Sequence, residues 1–216
     1  MWCVYCGRLS DARLCPSCHA LLSSLSYASA YDQRCNVCSA PVLDSVYPCP
    51  ICNEHVYAYG PYEGILSSCI RLYKHQGQKA LAPVLASLFE TMLIPRDDIL
   101  LVPIPSSSSG KRLRGFDQMA LLASITAKNL KVPYLRMFSQ TERQFYTLLG
   151  RTQRLEQHHL RLNDVNNDRF RRLMDVGLTP VILDDIYTTG NTARQAYALL
   201  QQKFGVSCTI CVLSRA

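Results

Sequence analysis

Eight cysteines in the first 52 residues form four C-x-x-C pairs: CVYC, CPSC, CNVC and CPIC, at positions 3, 6, 15, 18, 35, 38, 49 and 52. Two thiolates three positions apart on a tight turn can reach one ion, and two such pairs complete the four-sulfur tetrahedron that zinc or iron prefers. The segments joining the pairs are long enough for short hairpins. The simplest pairing is sequential, with Cys3, Cys6, Cys15 and Cys18 on one zinc ion and Cys35, Cys38, Cys49 and Cys52 on a second. Spacing leaves an interleaved pairing open. A disulfide framework would need an oxidising compartment, and a redox enzyme would need one reactive pair rather than four. Residues 1–55 hold too little apolar surface to fold unaided, so metal binding is expected to stabilise them as a double zinc ribbon. His19 and His55 are read as surface histidines, because four sulfurs per site are already present.

The N-terminus, MWCVYCGRLS, lacks a basic segment followed by a long apolar one. No apolar run reaches the roughly eighteen residues of a membrane span. The expected location is therefore cytoplasmic. A fifth C-x-x-C, Cys208 to Cys211, lies in a strand-like run, VSCTICVL. Residues i and i+3 of a strand face opposite ways, so these thiols are expected in the core rather than on a metal. Cys69 sits on the apolar face of a helical pattern and is read the same way.

After His55 strands and helices alternate. GILSSCIRLYKH, ALAPVLASLFETML, GFDQMALLASITAKNL and TARQAYALLQQKF have helical apolar spacing. ILLVPIP, PVILDDI and VSCTICVL read as buried strands, with PYLRMF a further candidate. Residues 139–172 are polar and basic with weak periodicity. The expected fold of residues 56–216 is α/β, with an open, mostly parallel sheet. Such sheets bind ligands beyond the carboxyl ends of their strands.

VILDDIYTTGNT, residues 181–192, stands at one such end. Thr188, Thr189, Gly190, Asn191 and Thr192 lie between strand and helix. Gly190 permits a positive φ or close backbone approach, and Asn191 or Thr192 can cap the helix. Hydroxyls around a helix N-terminus suit a phosphate. No Walker lysine is present, so a monoester phosphate fits better than a triphosphate. Asp184 and Asp185, the candidate catalytic carboxylates, would accept hydrogen bonds from sugar hydroxyls or hold magnesium with its waters. Together they describe a ribose 5-phosphate site. A helix cap with two exposed acids is the plainer alternative.

This run resembles the signature of the type I phosphoribosyltransferases, which bind phosphoribosyl pyrophosphate (PRPP). LVPIPSSSSGKRLRGFDQ is similar to the pyrophosphate-loop segment of the ComF family. Arg114, Gly115, Phe116 and Gln118 match its Arg-Gly-Phe-Asn-Gln, and Asp117 replaces the Asn. LYKHQG resembles the family's Leu-Lys-Tyr-x-Gly through Lys74 and Gly77. Gln144, Leu149 and Arg154 loosely match a further segment, in which Gln157 replaces an Asn. The resemblance implies a double zinc ribbon joined to a phosphoribosyltransferase fold, with Lys111, Arg112 and Arg114 by the pyrophosphate and Mg2+ accompanying PRPP. It also implies a role in natural transformation, handling incoming single-stranded DNA. Partners would include other DNA-uptake proteins, such as a helicase, at the inner face of the membrane.

Net charge is +7, concentrated in residues 111–172, where thirteen Lys and Arg face five acids. An anionic partner suits such a region, although a solvated basic face is the plainer reading. Arg151, Arg154 and Arg161 are the candidate DNA contacts. Phe116, Tyr134, Phe138, Phe145, Tyr146 and Phe170 are interspersed as candidate stacking partners. Two activities compete: a transferase with an unknown acceptor, and a nucleic-acid-binding module that keeps the ribose phosphate site. A zinc-dependent adaptor is a third.

Overall fold

A computed structural model describes residues 1–27, 56–93, 96–140 and 160–216. Its centre is a sheet of four parallel strands: β1 (Val56–Pro61), β2 (Ile99–Pro103), β5 (Thr179–Tyr187) and β6 (Thr209–Arg215), in the order β1-β6-β5-β2. β3 (Phe138–Gln140) and β4 (Leu160–Leu162) form a separate antiparallel pair. The helices are α1 (Pro16–Ser24), α2 (Gly64–His75), α3 (Ala82–Leu93), α4 (Ser108–Arg114), α5 (Gln118–Leu130), α6 (Asn167–Asp175) and α7 (Asn191–Phe204). The α/β class and the open parallel sheet agree with the sequence reading.

Parallel strands are buried on both faces, which is why β2 and the first part of β5 are nearly continuous apolar runs. Their residues split by alternation between two cores. Leu101, Val181, Leu183, Cys211 and Leu213 pack with α1, α2, α3 and α5. Leu100, Val102, Ile182, Ile210 and Val212 pack with α7, Phe170 of α6 and the β3–β4 pair. The C-terminal C-x-x-C pair follows the same rule. Cys208 lies in one core and Cys211 in the other, where Cys211 Sγ is 3.9 Å from Met92 Sδ.

Several elements depart from the sequence reading. PYLRMF is not a continuous strand. Tyr134 makes one parallel bridge to Leu101, and the chain joins β3 only at Phe138. The basic stretch after Pro105 winds into the short helix α4, whose first turn is capped by Ser107 accepting from the Gly110 N–H. The sequence reading omits β1 and α6. β1 does not alternate, being buried at four of its six residues, and α6 carries one short apolar stripe, Phe170, Leu173 and Met174, among charged residues.

The N-terminal segment is not separate from this core. Cys3, Leu14, Cys15, Cys18 and Leu22 pack in one cluster with Tyr59, Ile65 and Cys69. Gly60 makes the approach possible: a Cβ there would collide with the Leu25 carbonyl. Burial against α2 therefore supplements any metal in stabilising residues 1–27. Among the described residues no helix is long and apolar enough to cross a membrane.

Candidate functional site

Strand alternation sets the first condition on the paired acids. Adjacent residues of a strand face opposite ways, so two neighbours can line one cleft only where a flanking strand has ended. β2 stops at Pro103, opposite Leu183, so Asp184 is the first residue of β5 with no β2 partner. Ile104 N–H donates to the Leu183 carbonyl at 2.9 Å and turns the chain away. Asp184 and Asp185 thus both reach a cleft of about 400 Å³ at the carboxyl ends of the strands.

Segments distant in sequence converge on this cleft. Lys74 and His75 come from the end of α2, and Ser106 and Ser107 from the turn after β2. Arg114, Gln118, Gln140 and Thr192 complete its polar lining. Lys74 Nζ lies 2.6 Å from Asp185 Oδ2. The Asp185 backbone N–H donates to Asp184 Oδ1 at 2.9 Å. Burial, with the neighbouring Asp185 carboxylate second, pushes the Asp184 carboxyl up to about 7. One acid is therefore matched by a cation and the other holds a proton up to neutral pH.

The Arg114–Gln118 stretch acts mainly as a clamp on the last turn of α2. Gln118 is buried, and its Nε2 donates to the Tyr73 carbonyl at 2.7 Å. Tyr73 Oη returns a hydrogen bond to the Gln118 carbonyl at 2.9 Å. Burial raises the Tyr73 hydroxyl, keeping it a donor. Arg114 donates to the Lys74 carbonyl at 3.0 Å. Asp117 caps α5 by accepting from the Ala120 N–H and pairs with Lys111 at 2.7 Å. The aspartate at this position thus serves both as cap and as counter-ion. Of the three basic residues assigned to the pyrophosphate, Arg114 lines the cleft, Lys111 is paired with Asp117, and Arg112 is exposed.

The glycine turn differs in detail from its sequence reading. Gly190 is the N-cap of α7, with φ +74°, so Asn191 and Thr192 are helical rather than caps. No side chain caps this helix. A Cβ at Gly190 would strike the Tyr187 hydroxyl, so glycine is required for packing as well as for φ. Thr192 lines the cleft, whereas Thr188, Thr189 and Asn191 are exposed. The Arg194 guanidinium donates to the Thr189 carbonyl and ties the turn to the helix.

A second cluster lies in the N-terminal segment. The sulfurs of Cys3, Cys6, Cys15 and Cys18 all lie within 4.8 Å of one another, with Cys6 and Cys15 3.6 Å apart. Zinc–sulfur bonds of about 2.3 Å place tetrahedral sulfurs about 3.8 Å apart, so this cluster could hold a zinc ion. Its members come from the first two pairs, the sequential arrangement. The second pair is not on a turn. Cys15 is the N-cap of α1, with Pro16 following, and Cys18 lies in the first helical turn. Burial pushes the Cys3 thiol up, but backbone N–H groups, that of Cys6 foremost, outweigh it and bring it down to about 6. The Cys18 N–H likewise lowers Cys15, whereas burial raises Cys18. Cys35, Cys38, Cys49 and Cys52, together with His55, lie outside the described residues.

The assigned DNA contacts are less fully described. Arg161 is exposed on β4. Arg151 and Arg154 lie outside the described residues, as do Gln144, Phe145, Tyr146, Leu149 and Gln157. Phe138 and Phe170 belong to the core and are not free to stack on a base. Phe116 and Tyr134 are half-buried. Sequence reasoning left Lys74, Ser106, Gln118 and Gln140 out of the site. Lys74 and Gln118 stood within the family-like segments, but only the fold shows that they line one cleft with Asp185.

No family model matches the chain. It is similar to competence protein ComFC of Bacillus subtilis (strain 168), at 24% identity over 207 residues. The alignment covers 89% of this chain and 80% of that protein. The similarity supports a ComF-like family for a chain whose motifs already resemble it.

Proposed function

We propose that this chain is a ComF-type competence protein acting in DNA uptake, which binds a PRPP-like ribose 5-phosphate in the Asp184–Asp185 cleft and single-stranded DNA on its basic surface. The observation that carries the first half is the pair of acids at the carboxyl ends of parallel strands, facing Lys74 and Arg114 across one cleft. Two adjacent carboxylates suit vicinal ribose hydroxyls. The uncapped start of α7, with Thr192 beside it, suits the 5-phosphate. Arg114 supplies positive charge for a diphosphate. The competence role comes from the relative's name and its alignment over most of the chain.

Hard carboxylate oxygens at Asp184 and Asp185 fit magnesium, which would neutralise charge on a departing pyrophosphate. Lys74 holds Asp185 meanwhile, and its flexible stem lets it yield. One observation favours turnover as a second reading. Asp184, poised near neutrality, can take or return a proton at the pH where an acceptor would attack. Calorimetric titration with PRPP, with and without magnesium, tests the binding reading. Saturable binding that strengthens with magnesium is expected, and no heat at millimolar ligand would overturn it. Metal analysis is expected to find two zinc ions per chain, one of them on Cys3, Cys6, Cys15 and Cys18.

A further inference from the structure

A second concavity, of about 560 Å³, lies away from the acidic cleft. It is floored by residues 132–135 and walled by the end of α5 and the start of α6. Gln118 of the cleft opens α5 and Lys128 of the groove lies near its end, so the helix separates the two sites by about 15–20 Å. Lys128, Lys131, Arg136 and Arg169 line the groove and no carboxylate does. All four are exposed, and none makes an ion pair among the described residues. Nearby acids are engaged elsewhere: Glu90 with Asn129, Asp164 with Lys203, and Asp168 with Arg171. The Asn166 side chain donates to the Arg136 carbonyl at 2.8 Å and ties the start of α6 to the chain just past the groove floor.

Basic residues near a helix C-terminus are commonplace, because they offset the dipole. Lys131 is not explained that way. It ends α5 in the left-handed conformation, at φ +59°, the one non-glycine residue with positive φ among those described. The two other helices that end so, α4 and α7, use Gly115 and Gly205. Glycine would relieve the strain, and a lysine bears it instead. Strain at a residue that adds a fourth cation to an acid-free groove points to what the groove binds.

We propose that this groove is the track for a single-stranded nucleic acid, with its phosphates on Lys128, Lys131, Arg136 and Arg169 and a base against Tyr134. The inference rests on the nucleic-acid half of the proposed function and gives it a place. Four cations around one acid-free groove suit a polyanion such as a chain of phosphates, and the half-buried Tyr134 in its lining is the aromatic available for stacking. A concavity this small admits one strand and not a duplex.

Fluorescence anisotropy with a labelled oligothymidylate, over a series of salt concentrations, tests the track. Failure of the wild-type chain to bind would overturn the nucleic-acid half of the function. If it binds, Lys131→Gly decides the groove. This variant is expected to raise Tm by about 2–4 °C through relief of strain, while weakening binding severalfold. Removing all four cations should lower the salt slope by up to about 3, at about 0.7 per phosphate contact. Tyr134→Leu should weaken binding about fivefold or more, and Arg8→Ser, which removes one charge elsewhere as Lys131→Gly does in the groove, should leave it unchanged. Unaltered affinity and slope in the four-cation variant would overturn the assignment. So would polyglutamate binding as tightly as the oligonucleotide with no effect of Tyr134→Leu, which would mark an acidic protein segment as the occupant.

Discussion

The acidic cleft and the basic groove lie towards opposite ends of α5 and are built on opposite terms. Polar groups in and beside the cleft are held by partners: Asp185 by Lys74, Gln118 by Tyr73, and, next to it, Asp117 by Lys111 and its own helix. Cations in the groove are exposed, without ion-pair partners among the described residues, and one sits on strained backbone. A ligand of fixed shape needs groups held in place before it arrives, because their ordering then costs nothing on binding. A flexible polyanion needs charge and a path, and tolerates mobile side chains. The two regions should therefore respond differently to the same kind of substitution.

Removing both acids is the severest test. Asp184→Asn with Asp185→Asn is expected to lower PRPP affinity at least about 100-fold, the loss of two or more charge-assisted hydrogen bonds at about 1.5–3 kcal/mol each. Oligonucleotide affinity should change less than twofold, because the groove shares no residue with the cleft. Calorimetry for the first ligand and anisotropy for the second measure both arms. If both affinities fall together in a folded variant, the sites are one and the comparison fails.

A smaller effect should follow from releasing the clamp. Gln118→Leu leaves the buried Tyr73 carbonyl without its 2.7 Å donor and frees the last turn of α2, which carries Lys74. Stability should fall by about 1–3 kcal/mol. Affinity for PRPP should fall about tenfold, because binding must then reorder that turn. Gln118→Met keeps the length of the side chain and loses the donor without adding a buried charge. If it restores affinity as well as stability, Gln118 fills space rather than holding Lys74.

The paired acids, the glycine turn and the cysteine cluster were legible because each needs a particular residue type at a short, fixed spacing. Asp184, Asp185 and Gly190 sit on adjacent turns of chain, and Cys3, Cys6, Cys15 and Cys18 within sixteen residues. Cys208 and Cys211 share the C-x-x-C spacing and differ in outcome, because a strand sends them into two cores while a turn and a helix start gather the others. Lys74 and Gln118 meet the site only through long-range packing, about 110 and 67 residues before Asp185. No local period announces such a meeting. The groove was legible only as a charge surplus. Which cations share a concavity follows from where α5 ends and α6 begins, and the apolar stripe of α6, Phe170, Leu173 and Met174, is short and set among charges. Phe138 and Phe170 looked like candidates for stacking because sequence gives no measure of burial for an isolated aromatic between charges.

The mildest test concerns pH and the cleft alone. Burial and the Asp185 carboxylate raise Asp184 to about 7, well above the roughly 3.9 of an unfolded aspartate. The folded chain therefore holds this proton more tightly than the unfolded chain does. That contribution to stability is complete below about pH 4, declines as pH rises, and is gone above about pH 7. The full shift corresponds to about 4 kcal/mol at 1.36 kcal/mol per unit. Partial solvent access and its pairing with Asp185 reduce the effect to about 2 kcal/mol. Asp184→Asn carries no charge at any pH, so it should match the wild type near pH 4 and exceed it in Tm by about 4–8 °C at pH 8. The four-cation groove variant should show no such divergence from the wild type, since the lysines and arginines it lacks stay charged in the wild type over the whole range. Thermal melts of the three chains between pH 4 and 8 make the comparison. Parallel wild-type and Asp184→Asn curves would mean that Asp184 is solvated and ionised throughout, and the cleft would then bind its ligand with two full negative charges rather than one.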